Sequence, residues 1–135
     1  MVEINILYKG ELRCTAVHQP SGTALITDAP IDNHGKGESF SPTDLVATAL
    51  GTCMLTIMGI SAQAMHIDLS GTKVVVRKEM ATKSTRRIGT LAVTISVQAT
   101  LEENQKQKLI TAAMACPVHH SLHPDVQMPI EFNWA

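Results

Sequence analysis

SPTDLVATALGTCMLTIMGISAQAM, residues 41–65, decides how the rest of the chain is read. Ser41 suits an N-cap and Pro42 the first helical position. Asp44, three residues after Ser41, completes a capping box, so a helix starts here. Residues 45–65 carry no charge, and the pattern predicts a helix to about Met65 that is apolar nearly all round. Such a run is long enough to cross a bilayer. Thr48, Thr52, Thr56, Ser61 and Gln63 interrupt it, however, and its flanks carry acids rather than a basic cluster. A helix buried in a protein core is the reading adopted. Midway along it sits Cys53.

On the N-terminal side, Val2, Ile4, Ile6 and Tyr8 alternate with polar residues and predict a strand, closed by a turn at Lys9-Gly10. Residues 12–18 form the return strand. Pro20-Ser21-Gly22 makes a second turn, residues 23–27 a third strand, and residues 28–40 a loop. On the C-terminal side, strands are expected at 74–76 and 86–99, where Leu91, Val93, Ile95 and Val97 alternate with smaller or polar residues. Arg77, Lys78, Lys83, Arg86 and Arg87 between them read as a solvated hairpin turn. Thr100 and Glu103 suggest a capping box for a helix whose apolar side is Leu109, Ile110, Ala113 and Met114. Pro117 disfavours helical geometry at Cys116, so that helix should break and restart. Val126, Met128, Ile130, Phe132 and Trp134 alternate as a last strand, with Pro129 marking an edge or bulge.

The order is three strands, a long helix, two strands, a helix and a strand. That is an α+β class with mostly antiparallel pairing, in one domain spanning 1–135. Six strands and one short amphipathic helix give little cover for so apolar a central helix, which points to an intimate homodimer. The chain has 135 residues, a formal charge of -1 and 3% aromatic residues, so neither nucleic acid nor an anionic membrane surface is an expected partner. MVEINILYKG reads as a strand rather than a signal peptide, and an odd number of cysteines suits a reducing compartment; the cytoplasm is the expected location.

Cys53 and Cys116 carry the chemical interest. At Cys53 the plain reading is a small core residue. Mid-helix burial raises a thiol's pKa, so reactivity would require a nearby cation. Arg13, between Leu12 and Cys14 on the return strand, is the candidate, although an exposed strand arginine explains it equally well. Cys116 opens CPVHHSLHPDV, residues 116–126, where free backbone N–H groups after Pro117 favour a thiolate. Cys14 is most simply core. Cys116, His119, His120 and His123 are dense enough to consider zinc, but four ligands from one short turn rarely close a tetrahedron, and no metal or other cofactor is assigned.

SPTDLVATALGTC and ACPVHHSL, at this separation and in this order of elements, resemble the two cysteine motifs of the OsmC/Ohr superfamily, the osmotically inducible and organic hydroperoxide resistance proteins. The resemblance covers essentially the whole chain. It implies an OsmC-like fold with a long central helix in an intertwined homodimer. It also implies a thiol-dependent peroxidase acting on organic hydroperoxides: Cys53 peroxidatic, Cys116 resolving, Arg13 stabilising the thiolate, and a lipoyl-type dithiol as reductant. Leu50, Met54, Ile57 and Met58 would line the alkyl pocket, though they serve equally as core. The chain departs from the peroxidase pattern at Thr43, where those members place the glutamate that holds the arginine. Asp44 and Glu38 are the nearest acids to replace it. In this respect the chain is similar to the OsmC-like branch, and a non-enzymatic binding or redox-sensing protein is the alternative reading.

Overall fold

The computed structural model describes residues 1–83 and 85–135. It contains strands β1 (Ile4–Gly10), β2 (Arg13–His18) and β3 (Ala24–Asp28), a short 3-10 turn at Ile31–Asn33, and helix α1 (Pro42–Ala64). Strands β4 (Lys73–Met80) and β5 (Ile88–Val97), helices α2 (Glu103–Met114) and α3 (Pro117–Ser121), and strand β6 (Ile130–Trp134) follow. Two compact units emerge, residues 1–46 and 47–135.

In the first unit β2 is the central strand of an antiparallel β1-β2-β3 sheet. The β2–β3 register sets Arg13 directly opposite Asp28. Between β1 and β2, Glu11 and Leu12 both take positive φ, 53° and 63°, the signature of a tight primed turn. The following loop folds back on the end of β3. Gly35 and Gly37 donate to the Pro30 and Ala29 carbonyls at 2.9 and 3.3 Å. At Gly35 a Cβ would collide with the Ala29 carbonyl, and at Gly37 φ is +63°, so the loop needs glycine at both.

The start of α1 follows the sequence reading. The Ser41 amide donates to Asp44 Oδ2 at 2.9 Å, and the Asp44 amide donates to Ser41 Oγ at 3.1 Å, which is a reciprocal capping box. Ala47, Leu50, Gly51, Met54, Met58 and Ala62 are buried along one stripe. Thr52 and Thr56 on the exposed side return their hydroxyls to the carbonyls of Thr48 and Thr52, both at 2.8 Å. Those bonds keep polar side chains satisfied within the helix. Among the described residues, α1 is the one helix long and apolar enough to cross a membrane. Its buried face instead has a protein partner: a Cβ on Gly51 would lie 3.0 Å from Val76 and 3.2 Å from Val74 on β4.

The second sheet, β4-β5-β6, combines an antiparallel β4–β5 pair with a parallel β5–β6 pair. Leu91, Val93, Ile95 and Val97 of β5 are buried, as their alternation predicts, and share the core with Leu50, Met54, Met58, Leu109 and Ala113. Two local readings need correction. Arg77 and Lys78 do not lie in a turn; they belong to β4, opposite Ala92 and Leu91, because alternation with half-buried Val74, Val76 and Lys78 extends the strand. And α2 is capped not by Thr100 and Glu103 but by Glu102, whose amide donates to Gln105 Oε1 at 2.9 Å.

Candidate functional site

Cys116 stands at the break between α2 and α3. With φ -55° and ψ 126° it is the N-cap of α3, and its sulfur accepts the His119 N–H at 3.5 Å. Pro117 enforces this break, since the residue before proline avoids helical geometry. The Cys116 side chain is fully buried, whereas Cys53 on α1 is half-buried. The fold brings the two together, close enough for Cys53 to act on the Cys116 thiol. Burial pushes the Cys116 thiol above its usual range, and the contact with Cys53 pushes it further. The peptide N–H groups of His119 and Val118 pull it down without prevailing. The expectation that these N–H groups favour a Cys116 thiolate is therefore corrected: desolvation wins at this position. All three cysteines are free, and Cys14 is half-buried on β2.

The other residues around the pair divide by face. Leu50, Met54 and Met58 have no exposed surface and act as core, while Ile57 is half-buried. Ile60 is 60% exposed. Among the described residues no group of three or more His, Cys, Asp and Glu could hold a metal ion. His119 packs edge-on against His120, ring centroids 5.6 Å apart, and His123 accepts the Asp125 amide at 3.0 Å. These imidazoles therefore serve separate local contacts.

Arg13 belongs to the first unit, and its partners are explicit. Nε donates to Asp28 Oδ1 at 2.7 Å and Nη2 to Asp28 Oδ2 at 2.8 Å, a bidentate pair. Nη2 also reaches Glu38 Oε2 at 3.3 Å. Asp28 is 2% exposed and receives the Glu38 amide at 3.0 Å as well. The Arg13 fork, assisted by that amide, holds the Asp28 carboxyl below its ordinary value, and the two acids raise the already high pKa of Arg13. Of the two acids considered from sequence, Glu38 touches Arg13, and Asp44 is engaged in capping α1. Asp28, the principal partner, was missed. A signal existed: a hairpin turning at Pro20-Ser21 brings residue 28 opposite residue 13. Glu38, Phe40 and Asp44 line a shallow hollow of about 390 Å³.

Comparison with known proteins now bears on this arrangement. The family model for OsmC-like protein matches residues 35–131. The chain is similar to a candidate osmotic stress induced and detoxification response protein from Psychrobacter arcticus 273-4: 43% identity, TM-score 0.93, covering 98% of this chain and 96% of that one. Its fold is also that of an organic hydroperoxide resistance protein from Elizabethkingia anophelis with thiocyanate bound, at 11% identity and TM-score 0.79, covering 100% and 96% of the two chains. A third similar structure, from Vibrio cholerae O1 biovar eltor str. N16961, is a candidate organic hydroperoxide resistance protein with captopril in one of its active sites; identity is 15%, TM-score 0.76, and coverage 97% and 91%. The comparison with curated proteins gave no match. Capped central helix, paired thiols and element order thus coincide with a family match over most of the chain, and the chain belongs to the OsmC-like protein family.

Proposed function

We propose that the protein is a thiol-dependent peroxidase for organic hydroperoxides, working through Cys53 and Cys116. The observation that carries this reading is the nearness of a half-buried thiol, Cys53, to a fully buried one, Cys116, close enough to raise its pKa. The Cys53 thiolate attacks the terminal peroxide oxygen; the O–O bond breaks, an alcohol leaves, and sulfur is oxidised to a sulfenic acid. The Cys116 thiol then displaces water from that sulfenic acid and a disulfide forms. A dithiol of the lipoyl type reduces the disulfide by exchange and leaves as a cyclic disulfide. Arg13 is assigned as the cation that favours the Cys53 thiolate. The reaction is proposed for the cytoplasm, where thiols are kept reduced.

The functional unit is proposed to be a homodimer. Ile4, Ile6 and Tyr8 alternate along β1 at 57, 68 and 61% exposure, and Leu7, pointing to the other face, is 61% exposed. A sheet with apolar side chains open on both faces needs a second layer, and a second copy supplies it.

The test is stopped-flow reaction of the reduced protein with cumene hydroperoxide, with mass spectrometry of the product. Rapid loss of two thiols per chain with a Cys53–Cys116 disulfide is the expected result. A second reading, a binding or redox-sensing protein, is favoured by Thr43 at the position of the peroxidases' glutamate. Stoichiometric oxidation without repeated turnover on excess dithiol would select it.

A further inference from the structure

The short helix that follows Cys116 carries an imidazole with one nitrogen shut in and unpaired. His119 Nδ1 is buried and has no hydrogen-bond partner among the described residues. Buried polar atoms are almost always paired, and an orphan costs stability. One retained beside a thiol therefore points to work done there. The other such atom among the described residues, Thr72 Oγ1 just before β4, is a hydroxyl rather than a base.

Position ties His119 to the sulfur. Cys116 is the N-cap of α3, and His119 is the third residue of that helix. Side chains on a helix lean toward its N-terminus, and the third position is the one from which a side chain reaches back to the cap. The cap makes no demand on the ring: the Cys116 N–H donates to the Ala113 carbonyl at 3.2 Å, and the His119 peptide N–H donates to Sγ at 3.5 Å. The exposed His120 meets the His119 ring edge-on, and Nδ1 gains no bond from it.

Cys116 needs a base for the step assigned to it. Its sulfur closes on an oxidised Cys53 as a thiolate. Burial and the nearby Cys53 hold it protonated, against the pull of the Val118 and His119 N–H groups. Cys53, from α1, is the titratable group that acts on Cys116, and His120 is the one packed on His119. We propose that the His119 imidazole takes the Cys116 proton when Cys116 closes on Cys53, with Nδ1 as the receiving atom. Nδ1 is not bonded to Sγ in the reduced protein. The bond is required in the closing step, and such bonds are commonly long before reaction. In that step the Cys116 sulfur attacks the Cys53 sulfur, an S–S bond forms, and the S–O bond of the sulfenic acid breaks. The proton passes from Sγ to Nδ1 and on to the departing hydroxide, which leaves as water. The Cys116 sulfur is oxidised and the Cys53 sulfur reduced, so no further electron donor is needed. The inference rests on Cys53 and Cys116 as a working thiol pair, and it adds the group that moves their proton.

The experiment uses the reduced full-length protein and its His119→Asn and His120→Asn variants. Asparagine puts an amide where Nδ1 stood, keeps the peptide N–H on the sulfur, and cannot take a proton. Two reagents oxidise Cys53: cumene hydroperoxide, and dithiodipyridine, a small disulfide that involves no peroxide chemistry. With the second, attack by Cys53 releases one thiopyridone, and closure by Cys116 releases another in place of water. The two steps are therefore read as two phases, with mass spectrometry assigning each to its cysteine because Cys14 is free as well. In His119→Asn the Cys53 phase should stay within about twofold of wild type and the closing phase should slow about a hundredfold at neutral pH, the scale of a lost general base. The slowed phase should recover about tenfold per pH unit as Cys116 ionises unaided. Wild type and His120→Asn, which keep the base, should show a flatter profile. Closure at the wild-type rate in His119→Asn, or slowed closure without the added pH slope, overturns the inference. So does a wild type in which neither reagent yields the Cys53–Cys116 disulfide. Should His119→Asn fail to fold by circular dichroism, His119→Gln is judged by the same criteria. Closure that needs His119 after dithiodipyridine, in a protein that ignores hydroperoxide, would uphold the base and overturn the peroxidase reading. Hydroperoxide turnover with closure indifferent to His119 would do the reverse.

Discussion

At Cys116 two opposing influences meet, and their balance assigns roles to the thiols. The N–H groups of Val118 and His119 favour a thiolate, while complete burial and the Cys53 contact favour the protonated form and prevail. A thiol kept protonated is a poor first nucleophile toward peroxide and a good donor to a neighbouring thiolate. Under the proposed mechanism the less buried Cys53 is the thiol that reacts first. Cys53→Ser should reduce peroxide consumption by more than about a hundredfold, in line with loss of a nucleophile. Cys116→Ser should still lose one thiol per chain in a single turnover, but trap a sulfenic acid detectable with dimedone and then overoxidise. A Cys116→Ser protein that forms the wild-type amount of disulfide would sink the pairing. Asp28 gives a separate, pH-dependent signature. Its carboxyl is held below the ordinary value by Arg13. The stability it contributes is thus fully present above about pH 4 and is lost as pH falls through the lowered folded-state value. Acid unfolding followed by circular dichroism should show that limb in the wild type, flattened in Asp28→Asn.

Among the elements, α1 shows how local rules and packing combine. Ser41→Ala removes the side-chain acceptor of the Asp44 amide and should lower stability by about 1 kcal/mol in a denaturant titration. Two glycines of the same helix should respond oppositely to alanine. At Gly51 the new methyl would press on the stiff Val74 and Val76 side chains. Overpacking there, about 1–3 kcal/mol, exceeds the roughly 1 kcal/mol gained in helix propensity, so stability falls. At Gly59 nothing lies within 4 Å, and Gly59→Ala should gain about 1 kcal/mol. Equal responses at the two sites would mean that the Gly51 contact with β4 is misjudged. The same helix was the most legible part of the chain, because its start is written in Ser41, Pro42 and Asp44 and its character in an unbroken uncharged run. The β5 alternation and the break at Pro117 were legible for similar reasons: each depends on neighbouring residues alone. Asp28 was not read, because its meaning depends on a partner across a hairpin whose register had to be drawn from the turn. The Glu102–Gln105 cap was missed since Thr100 and Glu103 offer the same spacing two residues earlier, and only the actual start of the helix distinguishes them.

For the molecule as a whole, the apolar surface of the β1-β2-β3 sheet sets the expected behaviour in solution. Leu25 and Ile26 on β3 are 44 and 46% exposed, adding to the open side chains of β1. Patches of this kind mark surfaces that meet another molecule, and the proposed dimer would cover this one. Light scattering after size exclusion should give twice the chain mass, and Ile6→Asp should lower that mass or precipitate the protein. A wild-type monomer that stays soluble at high concentration would overturn the dimer.

Among the described residues, three of the four strand pairings join strands with only a turn or loop between them, and the fourth does not: β6 must come to lie parallel to β5 after the chain has passed through α2 and α3, with Ile130 meeting Val93 and Trp134 meeting Val97. Closing so long a loop is entropically slower than zipping a hairpin. Refolding should therefore be staggered: in pulsed hydrogen exchange, amides shared by β4 and β5 gain protection early. The Val93 amide, which donates to the Pro129 carbonyl at 2.9 Å, gains protection last. Until that bond forms, one edge of β5 is open, and this interval is when the chain is most exposed to pairing with the wrong strand.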